Sequence, residues 1–459
     1  MLIFTENTTA RLQYVLNFIF RDVFSIEFTI CGNPDQFKAH EGPKINYSGL
    51  PLAGALNIPV SGLLSAVGIE KTDPAPDLLG SLPILFRTDD SPRISTRAKS
   101  SANHLNPDNS SGPNDPGSDD LNFDLFAAVF YMISRYEEYL PFETDLHGRF
   151  EAGSSLASQN GFLETPVVDL WIQLLEEKLR ACFPGLKLPA TGFQFQPSCD
   201  IDLPYAFLHR GSVRTLGARV KAGLQGLADS QLRQDVLNGK AKDPFDTFDE
   251  MEAIHSLHKI RPKIFFLCAR YGKFDKSISP GKSVFKSLVK QCMKFADVGI
   301  HPSYRSHDNP GELQKELKIF SGITGEKVLQ SRQHFLKFRL PQSYRNYMEA
   351  GIREDYSMGF ASAAGFRAGT SRPFFFYDLP REEETPMKVI PFQVMDRTLK
   401  DYMKLTPEQA IEKISMLADA TRKAGGTFVS IWHNDAFSDH GEWKGWKDVY
   451  LQMIDSLSF

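Results

Sequence analysis

GFQFQPSCDID, Gly192–Asp202, is the stretch that decides the fold. Gly192–Pro197 reads as a strand that runs directly into two carboxylates, Asp200 and Asp202. They stand two residues apart, so on an extended chain they point to the same side. Working outward, the same rhythm recurs to the end of the chain. The spacing predicts helical, polar sequence over 210–245 and a helix over Phe248–Lys259, then a buried strand, KIFFLCA, at Lys263–Ala269. A helix over Ser283–Phe295, a strand at Asp297–His301, a helix over Pro310–Phe320 and a strand at Lys327–His334 follow. A helix over Pro407–Ala424 and a last strand, TFVSIWH, at Thr427–His433 complete the series. Strands and helices alternating in this way imply an α/β fold with a parallel sheet or barrel. In such barrels reactive side chains gather where strands end.

Four strand ends carry ionisable residues: Asp200 with Asp202, His301, Arg332 with His334, and His433. Two carboxylates held together titrate apart, because like charges resist joint ionisation. One of them can hold a divalent metal while the other takes a proton from water. The plainer reading of Asp200 and Asp202 is a turn beside Pro204, where Asp is favoured. His301, ahead of Pro302, is either a metal ligand or a loop histidine with a hydrogen-bonded partner. His433 precedes Asn434 and Asp435, and Asp435 is expected to orient its ring. His334, in SRQHFLKFRLP, is a candidate third ligand. Arg332 or Arg339 is expected to hold a carboxylate by a bidentate fork. Arg367 and Asp396, in GFRAGT and QVMDRT, either line a substrate pocket or make ordinary loop ion pairs. Trp443 and Trp446 offer faces for sugar stacking, whereas Trp432 reads as core. His255 and His258 read as structural, and His40, His104 and His147 receive no role.

The first 190 residues follow a different pattern. A strand at Leu2–Phe4, an amphipathic helix marked by Leu12, Val15, Leu16, Phe18 and Ile19, and a strand at Ile26–Cys31 suggest a smaller α/β domain. Helices are expected over Asp124–Leu140 and Pro166–Phe183, with a boundary near Pro184–Pro189. Between them, 92–122 includes SSANHLNPDNSSGPNDPGSDD. That composition cannot bury enough apolar surface to order itself and is expected to be a disordered insertion. A net charge of −4 over 459 residues argues against a nucleic-acid footprint. Five scattered cysteines, never in a CxxC pair, read as buried thiols of a reducing compartment. No stretch reaches the ~20 apolar residues of a membrane span. The N-terminus lacks the basic-then-apolar layout of a signal peptide, so a cytoplasmic location is the expectation.

From about Gln194 onward these motifs resemble the polysaccharide deacetylases, the NodB-homology carbohydrate esterases. Gly351–Phe374 further resembles an atypical bacterial branch in which an N-terminal α/β domain precedes a distorted (β/α) barrel. The resemblance implies a hydrolase that removes an N-acetyl or similar acyl group from a sugar or glycan, with a divalent metal, zinc, as cofactor. It assigns Asp200 as general base, Asp202 and His301 as metal ligands, His433 as general acid and Arg332 as the residue steadying the base. Two positions depart from the pattern. Ile201 splits the acidic pair, and Arg305 stands where a second ligand histidine belongs, which leaves His334 or His307 to complete the site; His334 is preferred because its strand end should neighbour that of His301. Ser303, Arg339, Arg367 and Asp396 are expected to contact substrate. The competing readings are a hydrolase of non-sugar amides on the same barrel and an inactive barrel that binds glycans or serves as a scaffold.

Overall fold

The computed structural model describes residues 1–88, 121–189, 192–210 and 227–458. The polar stretch expected to be disordered thus lies outside the described residues apart from its last two positions. So does 211–226 of the expected helical segment, whose remainder contains a helix at Leu227–Leu237.

The N-terminal part is built on a four-stranded parallel sheet. Strands β1 (Leu2–Phe4), β2 (Thr29–Cys31), β3 (Lys44–Asn46) and β4 (Leu56–Asn57) take the order β2-β1-β3-β4. A hairpin of β5 (Asp77–Leu79) and β6 (Leu82–Ile84) lies apart from it. The first helix, Ala10–Leu16, starts where the Thr9 hydroxyl accepts from the Leu12 N–H, and it widens into a looser turn over Asn17–Val23. The helix expected to reach Leu140 stops at Ile133, because Arg135 turns into the left-handed region at φ 56°. Val167–Cys182 forms the expected amphipathic helix.

The second sheet has nine strands: β7 (Gln194–Ile201), β8 (Lys263–Leu267), β9 (Asp297–His301), β10 (Gln330–Ser331), β11 (Glu354–Asp355), β12 (Phe374–Asp378), β13 (Glu383–Val389), β14 (Val394–Met395) and β15 (Thr427–His433). Eight of them run parallel in the order β14-β15-β7-β8-β9-β10-β11-β13, and β12 pairs antiparallel on the outer edge of β13. The strand expected over Lys327–His334 is only two residues long, and His334 itself begins a short helical turn.

Helices between strands are set by strong local signals. Pro310–Thr324 has Asn309 capping the Glu312 N–H, proline in its first turn and Gly325 at φ 81° closing its end. Pro407–Lys423 opens on a capping box in which Thr406 and Gln409 satisfy one another's backbone N–H groups.

The period of two along the long strands separates two cores. Phe428 and Trp432 join the large apolar cluster, together with Ile264 and Phe266. Val429 and Ile431, the residues between, join Phe265, Leu336, Tyr356, Ile390, Phe392 and Met395 in a second cluster inside the sheet. In a flat sheet those strands would stand up to seven positions apart, at about 4.8 Å per step. Their contact means that the sheet is curled around them. The curl needs room. A Cβ at Gly299 would meet the Phe265 ring at 2.6 Å and the Gln330 carbonyl at 2.9 Å, so only glycine fits there. Among the described residues β13 and β14 share no ladder, although only 390–393 separates them, so the barrel keeps a seam there.

The N-terminal part packs directly on the curled sheet, and the larger apolar cluster contains residues from both. Tyr14 donates to the Phe375 carbonyl, Arg11 pairs with Glu382, and Asp169 accepts from Thr370 and Ser371. No helix among the described residues is long and apolar enough to cross a membrane.

Candidate metal centre

Inward-facing positions run down each strand to its C-terminal end: Ser198, Asp200 and Asp202 from β7, Gly299 and His301 from β9, and Val429, Ile431 and His433 from β15. The ladder pairs His433 with Asp200 across β15 and β7. All of these strands run parallel, so their C-terminal ends share one rim, and the ionisable residues read from the sequence meet there.

Asp202, His301 and His334 each offer a ligand atom, and the three atoms lie within 4.8 Å of one another. His301 Nε2 lies 3.2 Å from Asp202 Oδ1, and His334 Nε2 lies 3.4 Å from Asp202 Oδ2. Both imidazoles are pinned from behind. His301 Nδ1 sits 2.5 Å from the Arg332 carbonyl, which can only accept, so Nδ1 carries the hydrogen and Nε2 is left with its lone pair. His334 Nδ1 is likewise 2.9 Å from Asp275, a buried carboxylate that also accepts from the Tyr304 N–H. Partners of this kind fix ring orientation and tautomer in metal sites. Asp202 Oδ1 has no hydrogen-bond partner, although it is buried. An orphaned carboxylate oxygen facing two imidazole nitrogens suits a divalent cation, and the residues present fit one.

The charges of the cluster are coupled, and a cation would take the place of the proton that His334 now holds. Burial works against the Asp202 carboxylate, but His334 and His301 outweigh it and hold its pKa well below the ordinary value. Burial opposes charge on His334 too; Asp202 and then Asp275 reverse it and push the imidazole up to about 9.

Arg332 is fully buried, and all its nitrogens are engaged: Nη1 with Asp200 Oδ1 at 2.7 Å, Nη2 with Ser198 Oγ at 2.8 Å, and Nε with the Tyr356 carbonyl at 3.0 Å. The grip on Asp200 is therefore a single hydrogen bond, not the expected bidentate fork, because Ser198 takes the second arm. The guanidinium also lies 4.5 Å above the Phe265 ring. Asp200 keeps Oδ2 toward the centre, 3.9 Å from His301 Nε2. Across the rim, Asp396 accepts from both the N–H and the Nδ1 of His433, each at 2.7 Å. Burial disfavours charge on His433, but Asp396, followed by Asp202 and Asp200, pushes it up to about 10. The orienting carboxylate is thus Asp396. Asp435 pairs with Arg397 instead.

A cavity of about 390 Å³ opens over these groups. Its lining includes Asp200, Asp202, His301, His334 and His433, apolar Phe245, Phe274, Phe335 and Met395, and polar Arg149, Lys276, Arg397 and Tyr402. The residues expected to contact substrate are not part of that lining. Ser303 turns its N–H to Glu316, and its hydroxyl accepts from Ser306. Arg339 is exposed, with its backbone N–H on Ser343. Arg367 is buried against Glu138 and the Gly359 carbonyl, and Asp396 stands behind His433. His307 lies beside Asp308 at 3.3 Å and takes no part in the cluster. Trp432, Trp443 and Trp446 are all buried and line no part of the cavity, so none offers a sugar-stacking face.

His255 is structural, as expected, bonded to the Met251 carbonyl and the Tyr450 hydroxyl. The sequence reading passed over Asp275, Arg149 and His147. His147 packs its ring 5.0 Å from that of Phe335 and 5.6 Å from that of Phe274, beside the cavity. Nothing in local sequence marks these residues, since each acts through a contact made only in the folded chain.

The profile of a family of unknown function, DUF7033, matches residues 1–184. No curated protein matches the chain. Among solved structures, the chain is similar to a provisionally named polysaccharide deacetylase from Mycobacterium smegmatis, with 11% identity, 60% of this chain and 86% of the other covered, and a TM-score of 0.40. It is similar to a polysaccharide deacetylase from Bacillus cereus at 11% identity, covering 57% and 87%, with a TM-score of 0.28. A CE4 family pseudoenzyme from Bacillus anthracis aligns at 11% identity over 57% and 60% with a TM-score of 0.26.

Proposed function

We propose that the rim of the curled sheet is the active site of a metal-dependent hydrolase that cleaves an amide, removing an N-acetyl or similar acyl group from a sugar or glycan. One observation carries this reading. An orphaned carboxylate and two pinned imidazoles converge between a carboxylate held by an arginine and an imidazole held by a carboxylate. Zinc suits the Asp202, His301 and His334 donor set. When bound, such an ion lowers the pKa of water and polarises the substrate carbonyl.

The rest is the work of the chain's own residues. Asp200, with Arg332 on Oδ1, keeps Oδ2 available to take the proton of an attacking water. His433, its Nδ1 on Asp396, carries its transferable proton on Nε2, the nitrogen facing Asp202 at 3.8 Å. That proton goes to the leaving amine nitrogen as the C–N bond breaks. The apolar walls at Phe245, Phe274, Phe335 and Met395 exclude water around these transfers. The division of the chain near residue 190 into an N-terminal α/β unit and this catalytic unit belongs to the same proposal.

The test is zinc content together with acetate release from N-acetylglucosamine oligosaccharides. The wild type is expected to hold one zinc per chain and to release acetate. Asp200→Asn and His433→Gln are expected to keep the metal and to lose on the order of 10²–10⁴ in rate. Zinc binding without release from any N-acetylsugar, but with release from non-sugar amides, would move the substrate class. Absence of stoichiometric zinc would overturn the reading.

A further inference from the structure

We infer that Arg149, from the N-terminal part of the chain, is a positioning residue for the metal centre: it holds the left-handed turn that aims His334. This rests on the metal-site reading above and extends it to a residue outside the curled sheet.

The backbone after His334 is unusual. Phe335 and Leu336 both take positive φ, 61° and 51°, in the region that favours glycine, and neither is a residue that enters it readily. Two consecutive residues of this kind persist only where the surroundings hold them. Three backbone hydrogen bonds lie within the turn, the Leu336 N–H on the Gln333 carbonyl, the Lys337 N–H on the His334 carbonyl and the Phe338 N–H on the Leu336 carbonyl, and none of them engages the Phe335 carbonyl. The Phe335 carbonyl is taken by a side chain 186 positions earlier, Arg149 Nη1, at 2.7 Å.

Arg149 is built for that contact. Its side chain is nine-tenths buried. Nε lies 2.6 Å from Asp145 Oδ2, and the Arg149 backbone N–H donates to Asp145 Oδ1 at 2.9 Å, so the short hairpin carrying both residues fixes the guanidinium plane. Nη2 reaches the hydroxyl of Tyr402, which also lines the cavity, at 3.3 Å. One planar fork therefore ties together the hairpin, the turn behind His334 and the segment following β14. His147, on the same hairpin, adds ring contacts to Phe335, Phe274 and Tyr304. His334 is thus held at three points: Asp275 fixes the ring, the Pro302 carbonyl takes its N–H at 3.1 Å, and Arg149 fixes the peptide that follows it. Lysine cannot replace this fork, because a single ammonium cannot present the same planar set of donors to three acceptors.

The experiment measures zinc affinity by competition with a chromogenic chelator, for full-length wild type, Arg149→Ala, Arg149→Lys and Asp202→Ala, with thermal unfolding of each metal-free protein. Arg149→Ala is expected to weaken zinc binding on the order of tenfold or more, the range typical of residues that orient ligands. Added guanidinium ion, below denaturing concentration, is expected to restore part of that affinity, which a change in overall stability would not allow. Arg149→Lys keeps the charge opposite Asp145 and serves if the alanine variant does not fold; it is expected to show the same loss. Affinity equal to wild type in the folded arginine variants, with Asp202→Ala binding no zinc, would overturn the positioning role and leave the metal centre standing. No zinc on the wild type would overturn both.

Discussion

At the scale of single residues, what distinguishes the site is the partner behind each reactive group. Asp200 has Arg332, His334 has Asp275, and His433 has Asp396. Each partner is buried and fixes a direction as well as a charge. Asp396→Asn should therefore leave the fold intact yet lower hydrolysis roughly 100-fold, by removing the anion that keeps His433 protonated and aimed. The pH profile should change as well, with activity failing at lower pH than in the wild type as the imidazole loses its raised pKa; an unaltered profile would remove Asp396 from that role. Asp200, Asp202, His301 and His433 were legible in the sequence because each stands at or just past the end of an apolar strand. Arg332 was legible too, as a clamp for a carboxylate, but the carboxylates that hold the imidazoles were not legible in that role. Asp275 is 59 positions from His334, and Asp396 is 37 from His433, with no intervening pattern to join them.

Elements show a similar division. The long strands β7, β8, β9 and β15 announced themselves by buried runs, and the helix at Pro310–Thr324 by its caps. Of the two-residue strands, β10 was read as part of a longer strand, whereas β11 and β14 carry too little periodic signal to be read; all three form because the curled sheet pairs whatever backbone lies beside it. The helix Pro310–Thr324 also supplies a measurable charge effect. Glu316, buried on that helix, accepts from the Ser303 N–H through one oxygen, while the other oxygen has no partner. Burial, chiefly, raises its pKa from 4.5 to about 7. A carboxyl raised on folding is favoured while protonated, so its contribution is fully present below pH 4.5 and is lost as pH climbs through about 7. At 1.36 kcal/mol per unit the difference amounts to roughly 3 kcal/mol. Glu316→Gln should match the wild type in urea unfolding near pH 4.5 and exceed it at pH 8. Parallel stability curves for the two proteins would contradict this.

For the whole molecule, the two parts are joined by buried charge as well as by the shared apolar cluster. Arg367, from the second part, forks onto Glu138 of the first, and Arg135 holds the same carboxylate. Each side chain is 5% exposed or less. Arg367→Ala strands Glu138 with half its partners and should destabilise the chain by about 3–5 kcal/mol. Because the core is continuous, intrinsic fluorescence and far-ultraviolet circular dichroism should report one shared unfolding transition, in the variant as in the wild type; separate transitions would mean that the parts are energetically independent. Arg332 carries a related consequence. It spans from β10 to β7, so the bond that steadies Asp200 is also a cross-brace of the curled wall. A lineage that discards the aspartate is left with a stranded cation in a dry interior and must find it another counter-ion. Silencing the proposed active site without deforming the wall calls for a substitution that still accepts a hydrogen bond, and asparagine at position 200 is the gentlest one available.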